Sequence, residues 1–497
     1  MKPTTGPHHL ILLLTAVAGI TFGQTTDSPP PPPGQQPPAG APKPPVAGQQ
    51  PPAGQQPPAG QQPPAGQQPP AGQQPPAGQQ PPAGQQPPAG QQPPAGAPKP
   101  PTAGQPPQGG PPPMRNSQRR RPPHQMMARH SGPPRAADPL PGLSNADLVA
   151  FADGRLEFNN REDAAGGLGP IFNRNSCAAC HVQGGIGGAG TINVTRFGRT
   201  TNDIFDPLAS LGGSLLQNMS IHPAAREVVP REANVIVRRQ TTALFGLGLI
   251  EAIPDETILA GEVAGKPDGV LGRAAIITDV TTGDERVGRF GWKAQQATLL
   301  AFSADAYVNE MGITSRFFPT ENAPNGKADV LATHDRVNDP EDTIDPVTGK
   351  ADIDHSADFM RLLAPLPPRA LTANATAGQA LFTSTGCAVC HTPSMTTGVN
   401  VIAALSEKEV ALYSDLLLHD MGRLGDGIVQ ADAGAREMKT APLWGVRVSA
   451  PYLHDGRAPS IDAAVRAHDG EGLASRTRYT QLTAAERQQL IEFINSL

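Results

Sequence analysis

Aromatic residues are scarce: Phe, Trp and Tyr make up 4% of 497 residues, and only two are Trp. Part of this is dilution, because 59 prolines mark a large region that cannot build a packed core. Acidic residues are missing altogether between Ser28 and Ala137, where eight basic residues stand. Lys2 and Asp27 cancel, so the formal total of −5 leaves −13 on the chain from Asp138 onward. A basic tail therefore precedes an acidic body, which suits basic partners by electrostatic steering, or is simply an acidic soluble surface. No nucleic-acid partner is expected. A long apolar run is also lacking near the start. Leu10 to Ala18, after Lys2 and before the small residues Gly19 to Gly23, falls well short of the roughly 20 residues of a membrane span. It reads as a signal peptide over residues 1–24, cleaved near Gly23 or Gln24. No cysteine lies nearby to take a lipid, so the expected mature protein is soluble and exported, in the periplasm or cell envelope.

Residues 25–137 read as a disordered linker rich in Pro, Gln and Gly. From Gln49 to Gly96 the hexapeptide QQPPAG recurs eight times, with a further copy at Gln35 to Gly40. Proline at this density blocks helix and sheet hydrogen bonding, and nothing in the unit is apolar enough to bury, so a partly polyproline II tether is expected. Arg119, Arg120 and Arg121 read as a solvated charge run, with contact to an anionic envelope surface as the alternative.

Ordered sequence begins near Asp138. Leu148, Phe151 and Leu156 can share a helical face, Thr376 to Cys387 forms a helical approach to a cysteine motif, and Thr483 with Glu486 makes a capping box for a terminal helix. On that helix Leu490, Ile491, Ile494 and Leu497 form one stripe. No sustained period-two alternation stands out. The expected fold is mainly α, small helices joined by long loops.

All four cysteines fall in two pentapeptides, CAACH at Cys177 to His181 and CAVCH at Cys387 to His391. Two thiols three residues apart can add to the two vinyl groups of a haem, and the adjacent imidazole then reaches the iron. A redox disulfide would not require histidine in both copies, and a zinc site would need four thiolates to converge from distant positions. Each motif thus specifies a covalently bound haem c, with Cys177, Cys180 and His181 at one and Cys387, Cys390 and His391 at the other. Two porphyrins also replace some of the missing aromatic core. Candidates for a further axial ligand are His222, His334, His355, His419, His454 and His468.

The stretch APYLHDGRAPSIDAAVRAH, Ala450 to His468, resembles the segment of bacterial di-haem cytochrome c peroxidases that supplies the distal ligand of the electron-receiving haem. The phrases FNRNSCAACH, LFGLGLIEAIPDE, GRFGWKAQQATL, NEMGIT, LLLHDMGRLGDG and APLWGVRVSAPYLHDGRAPS resemble the related di-haem oxidoreductase family, over about Leu148 to Leu497. The resemblance implies that His468 replaces the usual methionine and pairs with His391 on the second iron, with Met421 and Met438 as fallback ligands. It implies that Trp292 lies between the haems, and that Glu310 stands over the peroxide-binding iron and moves protons. Phe302 stands where these enzymes often have glutamine. Phe197 stands where many have a removable histidine, implying that the first haem is open without reductive activation, in a mainly α body of two cytochrome c-like haem domains with long loops, 138–365 with the open haem and 366–497 with the closed one. The activity implied is peroxide reduction with electrons from a small donor protein of the cytochrome c or cupredoxin type. A bridging calcium, common in the peroxidases, is assignable to no particular residue. A non-catalytic di-haem electron carrier and a di-haem oxidase acting on a protein or thiol are compatible with the same motifs.

Overall fold

The ordered body can be followed in a computed structural model that describes residues 135–497. The signal segment, the repeat and the arginine triplet lie outside the described residues, as does any contact between that tail and an envelope surface. Among the described residues, no helix is long and apolar enough to cross a membrane.

Ser144 and Asp147 each accept the other's backbone N–H and so start the helix Asn145–Phe158. Its buried side carries Phe151 and Phe158, which meet Phe359 of the helix Asp352–Leu362 at ring-centroid distances of 5.3 and 4.7 Å. Gly154 sits at the crossing, where a β-carbon would fall 2.3 Å from the His355 carbonyl oxygen. Leu156 does not share this face and is 52% exposed. The inward stripe steps by three and four through residues 151, 154 and 158, and Leu156 falls well off it.

The terminal helix Ala484–Ile494 has the expected Thr483–Glu486 capping box and buries Leu490 and Ile494, with Leu497 just beyond it. It packs on the helix Ala373–Ser384, where a β-carbon on Gly378 would lie 2.0 Å from the Gln489 carbonyl oxygen. Phe382, Tyr479, Leu490 and Phe493 form the core there. The larger core gathers Phe151, Phe245, Ile250, Phe290 and Phe359, and draws in Leu412 and Leu417 from further along the chain.

The architecture is not mainly α. Of the described residues 33% are helical and 15% strand, a mixed α/β body carrying several small sheets. The largest is centred on the strand Asn193–Thr201, antiparallel to Val235–Gln240 with Asn193 opposite Gln240 and Gly198 opposite Val235. Ile204–Asp206 and Leu215–Leu216 also pair with it. Two shorter ribbons pair Ala275–Thr278 with Glu285–Gly288, and Leu418–Asp420 with Glu437–Lys439. These strands escape a period-two reading for a physical reason. Most are two to four residues long, and on Val235–Gln240 the apolar Ile236 faces solvent while Arg239 and Gln240 are buried.

Candidate haem sites

Each cysteine motif forms one 3-10 turn. Cys177–Ala179 and Cys387–Val389 place the two thiols of each motif a turn apart, and the following histidine N–H closes back on the first cysteine's carbonyl, His181 to Cys177 at 3.1 Å and His391 to Cys387 at 2.9 Å. The second turn is entered through Gly386 at φ +85°, a left-handed conformation glycine adopts without strain. In the first motif burial pushes the thiol of Cys177 up to about 12 and that of Cys180 to about 11.

The histidines are oriented by backbone carbonyls. Nδ1 of His181 lies 2.9 Å from the Thr242 oxygen and 3.2 Å from the Gly188 oxygen, and Nδ1 of His391 lies 2.9 Å from the Tyr413 oxygen. A carbonyl can only accept, so Nδ1 carries the proton and Nε2 keeps its lone pair. Burial lowers both imidazoles to about 4, which holds them neutral. His468 repeats the pattern: its Nδ1 donates to the Ala464 oxygen at 2.8 Å, at the end of the helix Ile461–Ala467, and burial again lowers its pKa.

Two cavities adjoin these motifs. The first, of about 180 Å³, is lined by Cys177, Cys180 and His181 and by Trp292 and Glu310. The second, of about 320 Å³, is lined by Cys387, Cys390 and His391, with His468, Met421 and Met438 on its walls. They share the wall residues Gln240, Thr241, Thr242, Gly291, Trp292 and Phe302. Trp292 is fixed from three sides: its Nε1 donates to the Gln240 oxygen at 2.9 Å, its own carbonyl accepts from Lys439 N–H at 3.0 Å, and its neighbour Lys293 is anchored by Asp426 at 3.1 Å.

The six candidate histidines separate cleanly. His419 lies in the second cavity wall, but both ring nitrogens are engaged, Nε2 by Asp415 at 3.0 Å and Nδ1 by Glu471 at 2.7 Å. Burial alone would lower it, but the bonds to Asp415, Cys390 and Glu471 raise it to about 12, so it is a buried cation and unsuited to hold a metal. His454 lines the second cavity, held neutral by burial that lowers it to about 4, and meets the edge of Trp292, whereas His222 stacks on His334, away from both cavities. His355 is buried and lines neither cavity.

Glu310 lies in a π-turn, Tyr307–Met311, a distortion that re-aims side chains at the end of the helix Leu299–Ala306. Burial raises its pKa, against the Asn173 amide and Arg196, which lower it. Asp305 lines the same cavity and is likewise raised by burial. Phe302 stacks on Phe290 at 6.0 Å. Phe197 is buried in the central strand and does not line the first cavity, whose only lining histidine is His181.

Sequence reasoning missed Arg196 and Arg239. Both project into the first cavity from the central sheet, and Nε of Arg196 and Nη2 of Arg239 are buried without a hydrogen-bond partner. Lys439 and Arg476 stand in the second cavity. Buried donors without acceptors fit a ligand that brings its own carboxylates, as a haem brings propionates. With paired thiols and metal-ready imidazoles, the donor set at both cavities fits haem.

The family model described as "Di-haem oxidoreductase, putative peroxidase" matches residues 227–497. The chain belongs to this family. The matched span holds the second motif, Trp292, Glu310 and His468, whereas the first motif precedes it. Similar solved structures include hydrazine synthase of Kuenenia stuttgartiensis, at 15% identity over 76% of this chain and 99% of that one, TM-score 0.35. The diheme peroxidase BthA of Burkholderia thailandensis aligns at 14% identity over 70% and 86%, TM-score 0.32. A MauG-like protein associated with microbial copper homeostasis aligns at 17% over 51% and 89%, TM-score 0.27. No curated protein matches this di-haem oxidoreductase.

Proposed function

We propose that this di-haem oxidoreductase is an exported peroxidase, reducing hydrogen peroxide to two waters with two protons and two electrons from a small cytochrome c or cupredoxin. Cys177 with Cys180, and Cys387 with Cys390, hold the haems through thioethers. His181 and His391 would each ligate one of the irons, and His468 would supply a second imidazole at the Cys387 site. The bound groups supply electron storage and the centre at which the O–O bond is activated. The chain does the rest. Glu310, partly buried and raised in pKa by desolvation, takes a proton from the near peroxide oxygen and delivers it to the far one. Trp292, in the wall common to both cavities, offers the short electron route between them. Residues 138–365 form the peroxidatic half and 366–497 the electron-accepting half.

The observation that supports this reading is the asymmetry of the cavities: a single imidazole and a partly buried carboxyl line the first, whereas His391, His419, His454 and His468 line the second, and there His391 and His468 each have Nδ1 held by a backbone carbonyl and Nε2 left free. Electron paramagnetic resonance of the ferric holoprotein, with and without peroxide, tests it beside peroxide consumption with a reduced donor. One high-spin and one low-spin signal, the former altered by peroxide, with turnover well above free haem, is the expected result. Two low-spin signals indifferent to peroxide, without turnover, would establish a plain electron carrier.

A further inference from the structure

Away from both cavities, Glu321, Asp339 and Glu341 bring carboxylate oxygens within 4.8 Å of one another. None of the three lines either cavity. Glu321 is 5% exposed, yet neither of its carboxylate oxygens accepts a hydrogen bond. Glu341 is 3% exposed, and Asp339 is open to solvent. The donors at hand are few. Thr314 N–H donates to Glu341 Oε2 at 2.7 Å, and the single Thr314 hydroxyl proton is shared between Asp339 and Glu341. The charged groups that act on Glu321 are Glu341, Asp335 and Asp339, all acidic.

A buried carboxylate with two unsatisfied oxygens among like charges is costly, and proteins satisfy such groups by pairing or by metal coordination. No basic side chain pairs with any of the three in the described residues. We propose that Glu321, Asp339 and Glu341 bind a divalent cation of the hard, oxygen-preferring class, calcium. The donor set is all oxygen, with neither imidazole nor thiol. Its irregular spacing and one open side suit an ion that accepts six to eight ligands and keeps water among them.

The position gives the ion a role. Thr314 lies four residues after Glu310, and Gly169 packs so closely beneath Glu321 that a β-carbon there would lie 2.2 Å from Oε1. Gly169 N–H in turn donates to the Met311 oxygen at 3.0 Å. A cation here ties the chain around residues 321–341 to the turn that carries Glu310. The site stands on its own geometry and does not depend on the haem reading.

The test uses the haem-loaded full chain, stripped of loosely held metal by passage over a chelating resin, and measures calcium per chain by elemental analysis. Melting temperature is then compared in EGTA and in excess calcium. Wild type should keep about one calcium equivalent more than E321Q or D339N, and calcium should raise its Tm by several degrees but leave that of E321Q unmoved. Unchanged haem absorbance in both variants shows that they fold. Equal calcium in wild type and variants, an equivalent of zinc or another soft metal in its place, or a wild-type Tm indifferent to EGTA would overturn the proposal. In the last case, higher stability of E321Q in every buffer would identify the group as carboxyls that share protons.

Discussion

The side-chain amide of Asn173 donates to Oε2 of Glu310 at 2.8 Å, joining the segment that leads into the first cysteine motif to the carboxyl over the first cavity. The backbone reinforces the link, because the N–H of Asn173 also donates to the Glu310 carbonyl at 2.8 Å. Burial raises the Glu310 pKa and the amide opposes it. N173A removes the opposing donor, so the carboxyl binds its proton more tightly. A hydrogen bond to a charged group contributes roughly 1.5–3 kcal/mol, equivalent to about 1–2 pH units. If proton transfer begins from ionised Glu310, the acid limb of kcat/KM for peroxide should move to higher pH by about that amount. A profile that stays in place while haem absorbance is intact would remove Glu310 from the proton path.

His391 and His468 present free Nε2 atoms to one cavity, so replacing the second imidazole is expected to act on that centre alone. H468A should convert one of the two ferric signals from low to high spin and leave the other as it was. H468M should restore low spin while raising that centre's reduction potential, because a thioether favours the reduced iron more than imidazole does. Potentiometric titration followed in the visible spectrum distinguishes the two variants. Identical spectra for wild type and H468A would return the ligand role to Met421 or Met438.

Local sequence made the haem motifs legible because their chemistry is contiguous: two thiols, one turn and an imidazole occupy five residues. The Thr483–Glu486 cap is local in the same sense. The small sheets were not legible, since strands such as Leu418–Asp420 are too short to establish a period, and Val235–Gln240 buries polar residues while exposing Ile236. Arg196 and Arg239 were hidden for a related reason. Each looks like an ordinary strand arginine until Arg196 is seen opposite Val237 and Arg239 opposite Val194, with both side chains at one cavity. His419 illustrates the opposite error, because as a residue type it was as good a ligand candidate as His468. Only the carboxylates of Asp415 and Glu471, one of them 52 residues away, remove it.

Asp426 is shared by two buried cations, accepting from Arg239 at 2.8 Å and Lys293 at 3.1 Å, with its side chain fully buried. D426N keeps the shape but leaves two positive groups without their counter-charge. Removing one partner of a buried pair costs about 3–5 kcal/mol. A loss in that range is expected in denaturant unfolding of the holoprotein. The asparagine variant should lose more than K293M, which deletes a charge together with its own desolvation cost and leaves the Arg239–Asp426 pair intact. The reverse order would mean that Lys293, through its bonds to the Gly434 and Glu437 carbonyls, is the main tie of this loop.

Trp292 offers the sharpest separation of electron transfer from folding. Its indole borders both cavities, and its Nε1 bond to the Gln240 carbonyl fixes the ring plane. W292F keeps an aromatic ring in the wall but removes the indole N–H and its lower oxidation potential. If the ring carries electrons between the centres, the donor should still reduce the Cys387 site at the wild-type rate in stopped flow. Peroxide-dependent oxidation of that donor should then slow by about tenfold or more, equivalent to ~1.4 kcal/mol in the barrier. Direct binding of cyanide at the first centre should be unchanged, because Trp292 is a wall residue there and Glu310 remains in place. A variant in which donor reduction, cyanide binding and turnover all fell together would point to a collapsed wall. Unaltered turnover would mean that electrons cross without the indole, leaving Trp292 a packing residue held in place by Gln240 and Lys439.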